Sequence, residues 1–446
     1  MISTNFQSNK FESVMCAIFS KDYDHNIAID ELKDVLYSHN EEFIVKDLKI
    51  IEENKYIKDN SKWEVSIKIE YLPVEDNYHY DEKSEEEEKN DELTFYIALI
   101  DAKTITSNLK LFKKTLDDKS YNESLEVNYA IHITTEFQNF PLEDYQRQLR
   151  LINSIVADTS VFIDISSYSA YSGDWLSYTA TFEYPPSLSY LYTINAVYND
   201  EDIENNKENT EYWLYTKGLS RMGINELEII GIYKSDAVYN DLLDAVAKLF
   251  IEKGTAPHGL VFGAAFGVQI CVFPFEEAIQ KIKIKNNFLG INKEERYNND
   301  TLVLIAVDNN NSYHSLEFYK EKLSNNPIFM LSNFETSLMR EAAFEKVDYF
   351  IQLLTQYQNE ENTQFLVKLG FGEKQIEHLW FEVHSFNDNG YFDATLINTP
   401  YNKEEIQLKE GERGMFSIEN LTYWQVNTDS VIYTPRNIYL LFDYDV

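Results

Sequence analysis

The first 172 residues contain no glycine, so tight turns there fall to Asn, Asp and Ser, whose side chains support turn geometry by local hydrogen bonds. Cysteine is almost absent as well. Cys16 and Cys271 each sit inside an apolar run, which excludes a disulfide framework and any zinc-type spacing and marks both as small buried hydrophobes. Positive charge is scarce: 39 Lys and Arg stand against 75 Asp and Glu, a formal net charge of -36 that repels phosphate backbones and anionic lipid. No nucleic acid and no membrane is therefore expected as the main partner. The longest apolar run, 260–275, falls short of the roughly 20 residues that span a bilayer and is interrupted by Gln269 and Pro274. At the N-terminus only Lys10 is basic and the apolar run 14–19 is too short for a signal-peptide core, so a cytoplasmic protein is expected.

What is present describes a packed globular chain. Hydrophobic residues make up 44% and aromatics 15% of 446 residues, enough for two or three domains on a prior of about 150 residues each. An α+β fold is expected. In residues 1–170, strands at 13–20, 63–71, 93–100, 125–137 and 161–165 alternate with helices near 27–36, at 104–116 and from Pro141, which reads as a split βαβ, ferredoxin-like sandwich with helices on one face of an antiparallel sheet. The strands at 63–71 and 93–100 should be neighbours. Between them, 74–92 holds Glu85 to Glu88, a self-repelling segment that is either a solvated loop or a docking arm for a basic partner. A glycine-rich α+β region, 171–290, follows, with an acidic linker at 199–209 and a helix over 237–250 closed by Gly254. Residues 291–363 read as a connector holding a strand at 302–307 and one long helix over 335–357, and residues 364–446 as a small β-rich domain with strands at 364–369, 378–384, 391–397, 414–418 and 438–442.

Seven of the 14 glycines lie between Gly218 and Gly267. The sequence Trp213-Leu-Tyr-Thr-Lys-Gly218-Leu-Ser-Arg221-Met-Gly223 leads into Glu226-Leu-Glu228. It misses a nucleophile elbow by one residue, since G-x-S-x-x-G stands where G-x-S-x-G is needed, and it lacks the glycine spacing and following helix of a dinucleotide loop. Glu226 and Glu228, two apart on a strand, share one side about 7 Å apart. They could serve as acid and base or grip a cation, or they could line a solvated sheet face, with Arg221 neutralising one of them.

A second pattern is His378-Leu-Trp380-Phe-Glu382-Val-His384. As a strand it puts His378, Trp380, Glu382 and His384 on one face. Glu382 and His384 are close enough to share a metal, but His378, about 13 Å from Glu382, cannot join them. The other readings are a polar-aromatic contact face or ordinary sheet surface. Tyr171, Trp175, Tyr178, Tyr184, Tyr190 and Tyr192 cluster around Gly173, as a recognition surface or as strand residues. No cofactor and no metal is expected.

Residues 374–426, with Glu377-His378-Leu-Trp380, Gly390-Tyr-Phe, Leu396-Ile-Asn-Thr-Pro400, Gly411 and a terminal Trp424, resemble the small YegJ-like bacterial domain of unknown function. Upstream, the turn is similar to a W-x-H-T-x-G-L-x-R-x-G-x-x-E-L-E signature of longer bacterial proteins carrying such a domain, with Tyr215 in place of the histidine. Tyrosine titrates far from neutral pH and ligates divalent metals poorly, so this departure weakens any metal or catalytic role for the turn. The resemblance implies a bacterial cytoplasmic protein and, by analogy with domains found beside secreted toxins, an immunity-like role. The reading is therefore a non-enzymatic acidic interaction module that binds a basic protein partner. The alternative is an enzyme or small-ligand receptor using Trp213, Thr216, Gly218, Arg221, Gly223, Glu226 and Glu228. A purely structural scaffold is a third possibility.

Overall fold

A computed structural model of the chain describes residues 12–39, 42–51, 61–72, 92–138, 140–199, 210–233, 237–265, 267–285, 288–292, 296, 300–325, 333–358, 360, 362–372, 376–403 and 405–444. The Glu85–Glu88 segment and most of the 199–209 linker lie outside the described residues. The chain is α+β and divides into two compact units, Met1–Leu176 with Leu188–Ser332 and Ser177–Ser187 with Asn333–Val446.

The first sheet of the first unit is built from β1 (Glu12–Phe19), β2 (Phe43–Ile50), β3 (Ser61–Tyr71), β4 (Glu92–Asp101), β5 (Tyr129–Glu136), β6 (Thr159–Asp164) and β7 (Ser169–Ser172). All neighbours are antiparallel in the order β2-β3-β4-β5-β1-β6-β7, and β3 and β4 pair as the sequence predicts. Two strands escaped the sequence reading. In β2 the polar Lys46-Asp47 interrupts the apolar alternation where a bulge shifts the register, and β7 is four residues without an apolar run. Helices α1 (Ile29–Ser38), α2 (Lys103–Thr106), α3 (Asp118–Ser124) and α4 (Pro141–Ile155) complete this layer. The expected helix over 104–116 shrinks to α2 and a 3₁₀ turn at Leu109–Leu111, because Ser107 and Asn108 compete for backbone hydrogen bonds.

Helical segments pack on both faces of this sheet, not on one. Val14, Cys16 and Ile18 of β1 cluster with Ala98, Ile100 and Val161 and with Ile105, Leu109 and Leu116 from the 102–116 segment. On the opposite face α4 is fastened by Gln148, whose Nε2 donates to the carbonyls of Ser13 (3.0 Å) and Ile133 (3.4 Å). The reason is that β1 is apolar at every position from Val14 to Phe19, so both of its faces demand cover.

Helix α5 (Gly173–Ala180) leads to the second sheet of this unit, formed by β8 (Thr193–Val197), β9 (Glu211–Lys217), β10 (Glu226–Tyr233), β11 (Phe262–Ala265), β12 (Val268–Pro274), β13 (Thr301–Val307) and β14 (Tyr313–His314). Its order is β11-β12-β13-β10-β9-β8 with β14 beside β13, and β10 and β13 run parallel. Helices α6 (Ala237–Lys253), α7 (Phe275–Ile282) and α8 (Lys320–Asn325) accompany it. Gly254 closes α6 at φ +82°, as expected, donating to the Phe250 carbonyl. The strand that the sequence groups with the connector, β13, pairs inside this sheet.

In the second unit α9 (Asn333–Glu345) and α10 (Val347–Tyr357) replace the single long helix, with the break at Lys346, whose φ of -115° and ψ of 12° are not helical. They precede β15 (Gln364–Phe371), β16 (Glu377–Asn387), β17 (Tyr391–Leu396), β18 (Arg413–Ser417), β19 (Leu421–Asn427) and β20 (Ile432–Tyr433), an antiparallel sheet ordered β18-β17-β16-β15-β19-β20. Phe350 and Leu354 pack on Phe365, Val367, Phe381, Phe392 and Trp424. The run 438–442 is not a strand but part of a 3₁₀ segment, Ile438–Tyr444, because the turn at Thr434–Asn437 passes directly into short-range bonds and the run has no alternation to set a sheet face. Among the described residues no helix is long and apolar enough to cross a membrane.

His132 on β5 stands opposite Cys16 and Ala98 on the apolar face of the first sheet, where burial pushes its pKa down from 6.5 to about 3. The folded protein keeps the ring neutral while the unfolded chain takes a proton below about pH 6.5. This contribution to stability is intact above that pH and is lost as pH falls toward about 3. Urea midpoints measured across that range should fall less steeply for His132→Leu than for the parent chain; parallel curves would show that another group sets the acid limb.

Candidate functional site

The glycine-rich turn joins β9 to β10. It is a strand–3₁₀–strand connection, with the short helix at Leu219–Met222 and Gly218 and Gly223 on either side at φ +122° and +74°. A Cβ at Gly218 would come within 2.5 Å of the Leu191 carbonyl oxygen, so this position needs glycine on steric as well as torsional grounds. With no α-helix following Ser220, the turn is not a nucleophile elbow.

Glu226 and Glu228 do share one side of β10, yet neither meets solvent; both are buried, because β10 lies between β9 and β13. Their surroundings are separate. Glu226 accepts from the Thr216 hydroxyl (2.8 Å) and from the backbone amides of Gly218 (3.0 Å), Leu219 (3.3 Å) and Ser220 (3.0 Å), so its carboxylate closes the amino end of the 3₁₀ turn. Thr216 also accepts from the Leu227 amide. Glu228 accepts from the Trp213 indole (2.7 Å), from Arg296 (2.5 Å) and from the Thr301 hydroxyl. Arg296, itself buried, lies over the Phe275 ring at 3.6 Å.

Arg221 does not neutralise either glutamate. It reaches the first sheet, where its guanidinium binds Asp164 through two nitrogens (3.1 and 2.9 Å) and donates to Ser13 Oγ (3.1 Å) and the Leu191 carbonyl (2.5 Å). The ring of Tyr145 lies 5.1 Å away. Burial, then the Asp164 charge, holds the Tyr145 phenol well above its usual pKa. Asp164, Arg296 and Thr301 had no sequence signal: each is a single polar residue without periodicity, Thr301 brought beside β10 by strand pairing, Asp164 by the meeting of the two sheets, and Arg296 from outside any strand.

The aromatic cluster divides. Tyr171 stacks on the buried Trp175 at 3.9 Å, with Tyr190 and Phe162 beside them, in the first unit, while Tyr178 meets Phe182 and Tyr439 in the second. Trp175 belongs to a helix and not to a strand. Both cysteines are buried, and burial pushes the Cys271 thiol up to about 11 against the opposing charge of Lys281, and that of Cys16 higher still.

In the second unit the alternation of β16 is as predicted: His378, Trp380, Glu382 and His384 are half-buried on the outer face, and Leu379, Phe381 and Val383 are in the core. Each polar group has a neutral neighbour. His378 Nδ1 meets Thr422 Oγ1 (3.3 Å), His384 Nε2 meets Thr395 Oγ1 (2.8 Å), and Glu382 accepts from Gln364 (3.4 Å). Burial, reinforced by the Lys368 charge, lowers the His378 pKa. Lys368, on the central strand, stands between Trp380 and Tyr423, with its Nζ 5.6 Å from the Trp380 ring and the two rings 6.3 Å apart. Trp424, a candidate contact residue by sequence, faces the other way; it is fully buried and its indole donates to the Ala343 carbonyl at 3.0 Å. Among the described residues no group of three or more His, Cys, Asp or Glu side chains is placed to hold a metal ion.

The fold and the turn thus define an α+β protein in which a signature turn locks two sheets of one unit and a third sheet forms a second unit. Residues 13–186 match the family model described as protein of unknown function (DUF4026) N-terminal, residues 194–305 match its C-terminal counterpart, and residues 336–443 match one described as an uncharacterized protein conserved in bacteria (DUF2314). No curated protein and no solved structure matches the chain. Arg221 and Asp164 therefore connect the two DUF4026 matches, and residues 374–426 fall inside the third.

Arg221→Ala leaves the Asp164 carboxylate buried without its charged partner and should lower unfolding free energy by about 3–5 kcal/mol in urea titrations. Arg221→Met with Asp164→Leu removes both charges and should recover part of that loss; strictly additive losses would show that the two groups do not act as a pair.

Proposed function

We propose that the protein is a non-enzymatic, acidic, immunity-like interaction protein that captures a basic protein partner in the cytoplasm, with the outer face of the third sheet as its contact surface. The observation that carries this reading is a contrast between the two candidate regions. At the turn, Arg221, Glu226 and Glu228 are buried and bonded internally, which supports a structural use for the residues an enzyme or small-ligand receptor would need. On the outer face of β16, Trp380 keeps part of its ring accessible beside Tyr423 and Lys368, an aromatic and polar mixture typical of protein contact surfaces. The net charge of -36 supplies long-range attraction for a basic partner and repels nucleic acid and anionic lipid. The YegJ-like reading of 374–426 rests on its motif, whose two end tryptophans take different tasks, Trp380 on the surface and Trp424 in the core.

Capture from the native lysate at low and high salt tests the reading. A basic partner should be retained at low salt and released as ionic strength rises, because exposed charges are screened beyond about 8 Å at physiological salt. Trp380→Ala should weaken that capture roughly thirtyfold if the ring is a central anchor of about 2 kcal/mol. Salt-insensitive capture that Trp380→Ala leaves untouched would sink it.

A further inference from the structure

Among the edge strands that the structure describes, β18 differs from the rest. Strand β2 carries Lys46, Asp47 and Lys49 and a bulge, devices that block pairing with another chain. Strand β11 is also bulged, β7 and β20 have four and two residues, and α6 packs against β8. β18, Arg413-Gly-Met-Phe-Ser417, has neither lysine nor proline and pairs with β17 in unbroken register.

That register also tells which backbone groups point outward. Leu396 donates to the Glu412 carbonyl and Ile418 to that of Gly390, so the even-numbered residues of β18 face β17. The N–H and C=O groups of Arg413, Met415 and Ser417 therefore lie along the outer edge, and Met415 is 52% exposed. The Arg413 side chain is held in a two-pronged bond to Asp393 (2.8 and 2.7 Å), so its charge is already matched, and the groups at the two ends of the strand are mostly acidic, with Lys409 beside Glu410 and Arg340 donating to the Glu419 carbonyl. Glu410 and Glu412 are exposed at one end, Asp388 and Glu419 at the other.

We propose that β18 is a docking edge for an extended, basic segment of a partner protein, which adds a strand beyond β18 through the outward groups of Arg413, Met415 and Ser417 and sets its cationic side chains against Glu410, Glu412, Asp388 and Glu419. The proposal rests on the interaction reading above and assigns it a mode, main-chain pairing for affinity and charge for selection. A second copy of this chain is the poorer occupant, since two chains of net charge -36 repel.

The test uses the full chain and two synthetic peptides, one alternating lysine with valine and the other glutamate with valine. The lysine peptide should bind, more weakly as salt rises, and should slow hydrogen exchange at the amides of Met415 and Ser417; the glutamate peptide should not bind. Met415→Pro removes an outward donor while leaving the bonds to β17 in place, and should weaken binding at least about tenfold with an unchanged thermal midpoint. Met415→Lys keeps the donor, adds a like charge and should also weaken binding, so the proposal stays testable if the proline variant fails to fold. Bound lysine peptide without protection of those amides, equal binding of the glutamate peptide, or a dimer that pairs through β18 would each overturn it. If Met415→Pro leaves partner capture intact while Trp380→Ala abolishes it, the edge proposal falls and the interaction reading stands; if neither the lysine peptide nor a basic partner binds, both fall.

Discussion

The bidentate pair between Arg221 and Asp164 is the constraint on which the first unit depends. Both side chains are essentially inaccessible to water, so each charge is tolerable because the other lies within 3.1 Å and because Ser13, the Leu191 carbonyl and the Ser167 amide bond to the pair, while Arg221 Nε has no hydrogen-bond partner among the described residues. Such a pair adds little net stability over a well-packed apolar substitute, but it has directional demands that an apolar contact lacks. It can form only when the turn after β9 is placed against the end of β6, and it thereby sets how the two sheets of this unit meet.

The rest of the turn is arranged to present that arginine. Glu226 gathers the amides of Gly218, Leu219 and Ser220, which would otherwise be buried donors without acceptors. Gly218 admits the close approach of the 191 carbonyl. Glu228, on the same strand as Glu226, gathers a second set from elsewhere in the fold: Trp213 of β9, Thr301 of β13 and Arg296. Glu226 and Glu228, which read in the sequence as an acid and a base or a cation grip, and Arg221, which reads as neutralising one of them, are in the folded chain three buried side chains with separate hydrogen-bond partners. Low dielectric makes such networks strong when complete and costly when broken, which is reason enough for a strict pattern of residue types without any reaction.

The third sheet shows how one alternating strand serves two purposes. Phe381 and its neighbours close a core with Phe350 and Trp424, while the interleaved His378, Trp380, Glu382 and His384 keep hydroxyl and amide neighbours and remain half-accessible. The aromatic on the outer face is not needed for packing against α9 and α10. Its place beside Lys368 and Tyr423 gives the second unit a surface of mixed character, and at the edge of the same sheet β18 leaves main-chain groups without a neighbouring strand among the described residues.

Period-two alternation determined β3 and the division of β16 into an inner and an outer face, because side-chain direction in a strand follows from sequence parity alone. Helical spacing after Pro141 determined α4 in the same way, and the clustering of glycine located a turn with unusual backbone demands. Composition determined the acidity, and the apolar runs around Cys16 and Cys271 determined the burial of both cysteines. Tertiary structure decided everything that depended on a distant partner. It divided the long helix at Lys346, turned 438–442 from an expected strand into a 3₁₀ segment, and put Trp424 in the core. Above all it paired Arg221 with Asp164, 57 positions away, instead of with the glutamates five and seven residues on. Sequence proximity favours the local partner, but the folded backbone points the guanidinium across to β6 and surrounds each glutamate with nearer donors, and that geometry exists only once the two sheets are packed together.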